Sequence, residues 1–350
     1  MCGLLGFIGS SKDPVKSQEL MTTLFAKTQE RGLDAAGFYC VSDYGQNKIY
    51  YHKQPGPSTK LIKEKTYQDL WQNKLNLGLF HCRAASSGVG VPAENINNHP
   101  FVSQNLRKAV IHNGLIIRNE YNHFKRYYET ESDCDSEIIL RVLEQDDNSI
   151  IDNLSKFITY VPDSHYAVAY SEVEKESRKL FLFRNKQRPL FIANLIDELG
   201  QVIFFSTLEI FLDVLDKLIE KNIFINFDKI IELKPNEVYE IYYQKNNEIQ
   251  MNLYESIASE TDAEIGKNYY GLRNNEEKIF NIDKIDKDYL IEDEFLESIS
   301  ELNKNQKELE NKILILLQSK KISKDKCLET INSIKELNKS IDYINNNIKG

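Results

Sequence analysis

The chain opens Met1-Cys2-Gly3-Leu4-Leu5-Gly6-Phe7-Ile8, and the reading of the fold turns on what Cys2 is for. Loss of one methionine makes this cysteine the first residue, and Cys2 is small enough to let that methionine be removed. A terminal cysteine carries its own base. The free α-amine has an unperturbed pKa of about 7.7 to 8.0 and the thiol about 8.5, so near neutrality the amine accepts the thiol proton directly or through a water. No histidine partner is then required. Position alone favours a second role, a cysteine that merely begins a buried strand among Leu4, Leu5, Phe7 and Ile8, as free cysteines often do.

Three segments further along favour chemistry. In His81-Cys82-Arg83-Ala84-Ala85-Ser86-Ser87-Gly88 a predicted strand ends in an arginine followed by small residues. A guanidinium at a strand end grips a carboxylate with two parallel hydrogen bonds, and small neighbours leave room for a ligand. Asn98-His99-Pro100-Phe101 is followed by His112-Asn113-Gly114. An Asn-Gly pair closing a strand sets a side-chain amide beside a backbone N–H, the arrangement that stabilises a tetrahedral oxyanion, although Asn-Gly is also the commonest hairpin turn. In Ser132-Asp133-Cys134-Asp135-Ser136-Glu137, Asp135 stands where a loop meets a helix, placed either to hold an ammonium group or to cap the helix. Taken together, these residues describe a ligand with a carboxylate, an ammonium and a carbonyl open to attack. Free glutamine is such a molecule.

The spacing of apolar residues predicts mixed architecture to about residue 250. Leu20, Leu24 and Phe25 mark one face of a helix over 16–29, with Gly32 as its stop. Short β-branched and aromatic runs at 37–41, 48–51, 77–82, 108–112, 166–170, 180–184, 190–193 and 202–206 read as strands,. Helices are predicted from about Ser136 and over 208–220. A last strand pair, 230–233 and 238–243, is separated by Lys234-Pro235-Asn236 and reads as a hairpin. Many strands and few helices without βαβ alternation indicate stacked antiparallel sheets flanked by helices, an α+β fold.

The sequence changes character after residue 250. Residues 251–288 are polar and interrupted and read as a linker or extended wrap. Over 289–350 apolar residues recur in steps of 3, 4 or 7, at Phe295, Ile299, Leu302, Leu309, Ile313 and Leu316 and again, after Ser323, from Leu328 to Ile348. That pattern predicts an amphipathic helical hairpin, either packed on the main domain or available for self-association or partner docking.

Composition limits the remaining choices. With 41% hydrophobic and 28% charged residues over 350 positions, the chain can build one large domain with an appendage, or two domains. Its net charge of -9 argues against a nucleic-acid partner. No leader-like segment and no apolar run of the roughly 18 to 20 residues needed to cross a bilayer is present, so a cytoplasmic protein without a membrane role is expected. The five cysteines are scattered without a CxxC pair, which predicts reduced thiols and no zinc site. No SGGxDS-type, GxxxxGK[ST] or GxGxxG loop is present, and no cofactor or metal is expected.

Five ordered motifs, Cys2-Gly3-Leu4-Leu5-Gly6, Arg31-Gly32-Leu33-Asp34-Ala35-Ala36-Gly37, His81-Cys82-Arg83-Ala84-Ala85-Ser86, His112-Asn113-Gly114-Leu115-Ile116 and Ser132-Asp133-Cys134-Asp135-Ser136-Glu137, resemble those of the class II glutamine amidotransferases. The resemblance covers residues 1–250 and implies the four-layer αββα sandwich of the N-terminal nucleophile hydrolases. It implies that Cys2 attacks the glutamine amide through a γ-glutamyl thioester, with Asn113 and Gly114 as the oxyanion hole. It also implies that Arg83, with Ser86, binds the α-carboxylate, that Asp135 binds the α-ammonium, and that Arg31 supports the site. The position after Arg83, often a bulky aromatic in that family, is Ala84. A stand-alone glutaminase supplying ammonia to a synthase in trans is the leading expectation, with 289–350 as its dock or as a homo-oligomer contact. A non-catalytic assembly module of the same fold and an amidohydrolase for another amide are the alternatives; the pairing of Arg83 with Asp135 favours a free α-amino acid.

Overall fold

The computed structural model describes residues 1–44, 46–85, 90–227, 229–258 and 270–274. The predicted hairpin at 289–350, Cys327 within it, and Ser86 lie outside the described residues. Among those described are strands β1 (Gly3–Ile8), β2 (Ala35–Ser42), β3 (Ile49–Pro55), β4 (Leu75–Arg83), β5 (Phe101–Val102), β6 (Lys108–Leu115) and β7 (His165–Val173). They continue with β8 (Ser177–Arg184), β9 (Phe191–Leu195), β10 (Gln201–Phe205), β11 (Lys229–Glu232), β12 (Glu237–Gln244), β13 (Ile249–Ala258) and β14 (Tyr270–Asn274). One sheet has the order β11-β9-β10-β1-β4-β2-β3 and the other β14-β13-β12-β8-β7-β6-β5. Every pairing in both is antiparallel.

Strand alternation builds the layers, since successive side chains point to opposite faces of a sheet. Leu4 and Ile8 of β1 join Leu77 and Leu79 of β4 and meet Ile111, Ala169, Leu182 and Ile241 of the other sheet in a dry core between the two. Phe7 turns outward instead, to Trp71 and Phe80, and Phe80 packs on Phe25 of the Pro14–Thr28 helix. On the far side, Val110, Val168, Phe181 and Phe183 pack with Ile138, Leu154 and Phe157 of the helices Glu137–Leu143 and Ile150–Tyr160. The result is the expected αββα sandwich. The Leu208–Glu220 helix belongs to a second compact unit and buries Phe211, Val214 and Leu218 along one stripe,.

One expectation is corrected. The runs around 230–233 and 238–243 do not form a hairpin: β11 pairs with β9 in the first sheet and β12 with β8 and β13 in the second. Lys234-Pro235-Asn236 carries the chain between layers. Arg184, at the end of β8, anchors this crossing by donating from Nε to the Leu233 carbonyl and pairing with Glu232 at 2.8 Å. Sheet pairing also runs past residue 250, through β13 and β14, into the stretch read as linker.

Candidate active site

The site begins with register. Gly3 of β1 lies opposite Cys82 of β4, so Cys2 falls beside Arg83, at the same end of the sheet. The Cys2 thiol donates to the Ala84 carbonyl at 3.5 Å and its sulfur accepts from the Ala84 N–H at 3.4 Å. The Arg31–Asp34 turn holds this peptide in place: Asp34 Oδ2 accepts from the Ala85 N–H at 2.8 Å, and the Asp34 N–H donates to the Arg83 carbonyl at 3.0 Å. Gly32 is required for the approach, because a Cβ there would sit 2.3 Å from the Arg83 carbonyl carbon. Thus the Arg-Gly motif is a clamp on the backbone that carries Arg83. The Met1 sulfur lies 3.7 Å from Arg31 Nη2 and 3.6 Å from Arg188 Nη1.

Arg83 is 3% exposed. Its Nη1 donates to Asn98 Oδ1 at 2.8 Å and its Nη2 to the Gly90 carbonyl at 2.9 Å, which fixes the plane of the guanidinium. Asp135 does not act as the plain helix cap that its position also allowed. Ser136 occupies the cap position of the Glu137–Leu143 helix without a side-chain capping bond, and Asp135 Oδ2 accepts from the Ile116 N–H at 2.6 Å. That bond ties the helix start to the end of β6. The Ser136 hydroxyl strengthens the tie, reaching both His112 Nδ1 at 2.8 Å and Asp135 Oδ1 at 3.4 Å.

Asn113 and Gly114 lie within β6, paired with Ala167 and Tyr166, and are not a turn. His81 Nε2 donates to the His112 carbonyl at 3.0 Å, joining β4 to β6 one residue before Asn113. The Asn113 side-chain amide nitrogen is buried and has no hydrogen-bond partner among the described residues, an arrangement that costs free energy unless a ligand uses the donor. Gly114 admits no substituent, since a Cβ would stand 1.7 Å from the His165 carbonyl oxygen.

Burial and several neighbouring charges act on Cys2. Burial pushes its thiol above the ordinary value. The Ala84 N–H, the ammonium of Met1 and Arg83 oppose that rise, and Asp135 adds to it. The nearby imidazoles are held neutral: burial drives His81 down to about 3 and His99 and His112 below their usual range. Labelling of the N-terminal peptide by iodoacetamide, followed by mass spectrometry, is therefore expected to accelerate with rising pH around a midpoint above that of an exposed cysteine. Arg83→Ala should move that midpoint up and Asp135→Asn should move it down. Either shift in the opposite direction would disprove this electrostatic assignment.

Of the residues singled out in the sequence, Cys2, Arg83 and Asp135 are thus electrostatically coupled, and Asn113 is tied to the same strand ends. Asn97, Asp34 and Lys53, which hold the surrounding backbone, had not been singled out. The adjacent asparagines before His99-Pro100 were the available signal for the first. Among the described residues no cluster of three or more His, Cys, Asp or Glu is arranged for a metal, and no helix is long and apolar enough to cross a membrane.

No family profile matches the chain. Curated relatives include glutamine–fructose-6-phosphate aminotransferase (isomerizing) of Bacillus spizizenii, 29% identical over 200 residues. The enzyme of the same name from Sulfolobus acidocaldarius is 28% identical over 198. Each match covers 55% of this chain but only 30% and 31% of those enzymes, so the chain spans about a third of the length of the curated relatives it matches. Among solved structures, the glutamine phosphoribosylpyrophosphate amidotransferase of B. subtilis aligns at a TM-score of 0.49 with 20% identity, over 71% of this chain and 50% of that one. A glutamine aminotransferase class-II domain protein from Silicibacter pomeroyi aligns at 0.39 with 14% identity, over 69% of this chain and 94% of that one. In its ordered motifs, its two-sheet αββα sandwich and its curated relatives, the chain is similar to the class II glutamine amidotransferase domains of the N-terminal nucleophile hydrolase type.

Proposed function

We propose that this protein hydrolyses the side-chain amide of L-glutamine, with Cys2 as nucleophile after removal of Met1, and delivers the ammonia to an acceptor enzyme in trans. The observation that carries this reading is the neighbourhood of one thiol: Arg83 and Asp135, opposite in charge, both act on Cys2. A ligand with an α-carboxylate and an α-ammonium complements that pair. In the reaction, the Cys2 amine takes the thiol proton and the sulfur attacks the amide carbon. The oxyanion is held by the Asn113 amide and the Gly114 N–H. The C–N bond breaks as the amine returns the proton to the departing nitrogen, leaving a γ-glutamyl thioester. Water then cleaves the thioester to glutamate and regenerates the thiol. With three imidazoles held neutral and His81 Nε2 engaged on a carbonyl, the terminal amine is the group suited to these proton transfers.

An acceptor in trans is part of this proposal, and the amphipathic period of 289–350, suited to docking on a partner, supports it,. We place the glutaminase in residues 1–250 together with the strands that complete its second sheet, and partner docking in the sequence of 289–350. The test uses protein with an extension ahead of Cys2 that a protease removes to leave Cys2 first. The extended form should be inactive, and the cleaved form should release glutamate and ammonia in equal amounts. Glutamine left intact by protein whose N-terminus is shown by mass spectrometry to be Cys2 overturns the proposal.

A further inference from the structure

We infer that the adjacent asparagines Asn97 and Asn98 form a brace that holds the carboxylate-binding and ammonium-binding sides of the site at a fixed separation, and so act as positioning residues for the amino-acid end of the substrate. The inference rests on the glutaminase reading above. Both side chains are fully buried, and they diverge to opposite sides of the site. Asn98 Oδ1 accepts from Arg83 Nη1 at 2.8 Å. Asn97 Oδ1 accepts from the Asp133 N–H at 2.9 Å, two residues before Asp135. One peptide unit therefore connects the guanidinium on β4 to the loop that presents the carboxylate.

The brace is itself anchored from several directions. Asn98 Nδ2 donates to the Pro92 carbonyl at 2.8 Å and to Asn95 Oδ1 at 3.2 Å. Asn97 Nδ2 donates to the Val91 carbonyl and to Glu94 Oε2, both at 3.3 Å. Lys53 Nζ, set over the Phe101 ring, donates to the Asn98 carbonyl at 2.6 Å and to the Ile96 carbonyl at 3.3 Å. Every amide group in the pair is thus engaged, and a fully satisfied buried network keeps a single geometry. Aspartate is unsuited to either position, because Nδ2 donates in both. Neither asparagine reaches the sulfur or the oxyanion donors in this network, so its effect falls on binding of the amino-acid end rather than on the chemical step.

The test compares Asn97→Ala, Asn98→Ala and the double variant in the full chain with Cys2 exposed. Each single change should raise KM for glutamine about tenfold, the effect of one lost charge-assisted or buried hydrogen bond, with kcat within about twofold of the parent. The double variant should raise KM by much less than the product of the two, because either change alone already releases the brace. Alkylation of Cys2 by iodoacetamide, which carries no amino-acid end, should proceed at the parental rate in all three, showing that the thiol and the fold around it persist. An unchanged KM, a loss confined to kcat, or multiplicative KM effects overturns the brace. If alkylation also changes, Asn98→Gln, which keeps both amide functions, must restore parental alkylation while KM stays raised, and failure to do so overturns it too. A parent protein that does not hydrolyse glutamine disproves the glutaminase reading instead.

Discussion

Replacing Cys2 with alanine is expected to lower glutamine hydrolysis by about a thousandfold or more, with the fold unchanged. The size follows from the loss of a whole pathway: without a sulfur there is no thioester, and the remaining site can only bind glutamine and polarise its amide toward water. Stability should be nearly untouched, within about 1 kcal/mol, because Cys2 is half-buried and its two hydrogen bonds to Ala84 are weak sulfur contacts,. The measurements are glutamate release and thermal unfolding on the same preparation. Other thiols offer no substitute among the described residues. Cys40, Cys82 and Cys134 are buried, with Cys40 and Cys82 pushed far up and Cys134 to about 12. Activity above about a tenth of the parental rate would place the nucleophile elsewhere and remove the central claim.

The architecture was legible wherever side-chain periodicity decides the answer. The alternation of Leu4 and Ile8 against Phe7 is enough to predict a strand covered on both faces, and the helix over Leu20–Phe25 is one of those covers. Topology was less legible. Residues 230–243 contain two good strands and a good turn, yet the strands belong to different sheets, because local propensity does not encode which distant edge, β9 or β8, each run will find. The Ile150–Tyr160 helix was passed over although Ser149 caps it by accepting from the Asp152 N–H. Its apolar residues are interrupted by Asp152, Asn153 and Lys156, which obscures the period.

The site shows the same division. Cys2, Arg83 and Asn113 could be proposed from the sequence because each chemistry needs a particular residue type beside a particular neighbour. The second bonds of Asp135 could not be found that way. Its carboxylate reaches Ile116 N–H, 19 residues earlier, as β6 ends, and this contact exists only once strand and helix start are brought together. Asn97 and Asn98 illustrate the point further. They look like loop residues in the sequence, and their meaning lies in partners 36 residues onward and 15 residues back.

Asn113→Ala is expected to lower kcat by about a hundred- to a thousandfold while leaving KM for glutamine within a few-fold, the pattern of a donor used mainly in the transition state. The physical case lies in the cost of the amide as it stands. Its Nδ2 is buried without a partner among the described residues, and an unmet buried donor costs roughly 1–3 kcal/mol. Removing that donor offsets the packing lost with the side chain, so the variant should unfold within about 1 kcal/mol of the parent or be more stable. Loss of activity joined to retained or increased stability separates a preorganised oxyanion donor from a structural amide, whose removal would lower both. Gly114→Ala is the companion change with the opposite signature. Its Cβ would stand 1.7 Å from the His165 carbonyl oxygen and 2.6 Å from His112 Nε2, so β6 must part from β7, and stability and activity fall together. If Asn113→Ala instead destabilises the protein and spares kcat, the amide belongs to the scaffold and the Gly114 N–H must hold the oxyanion with a different partner.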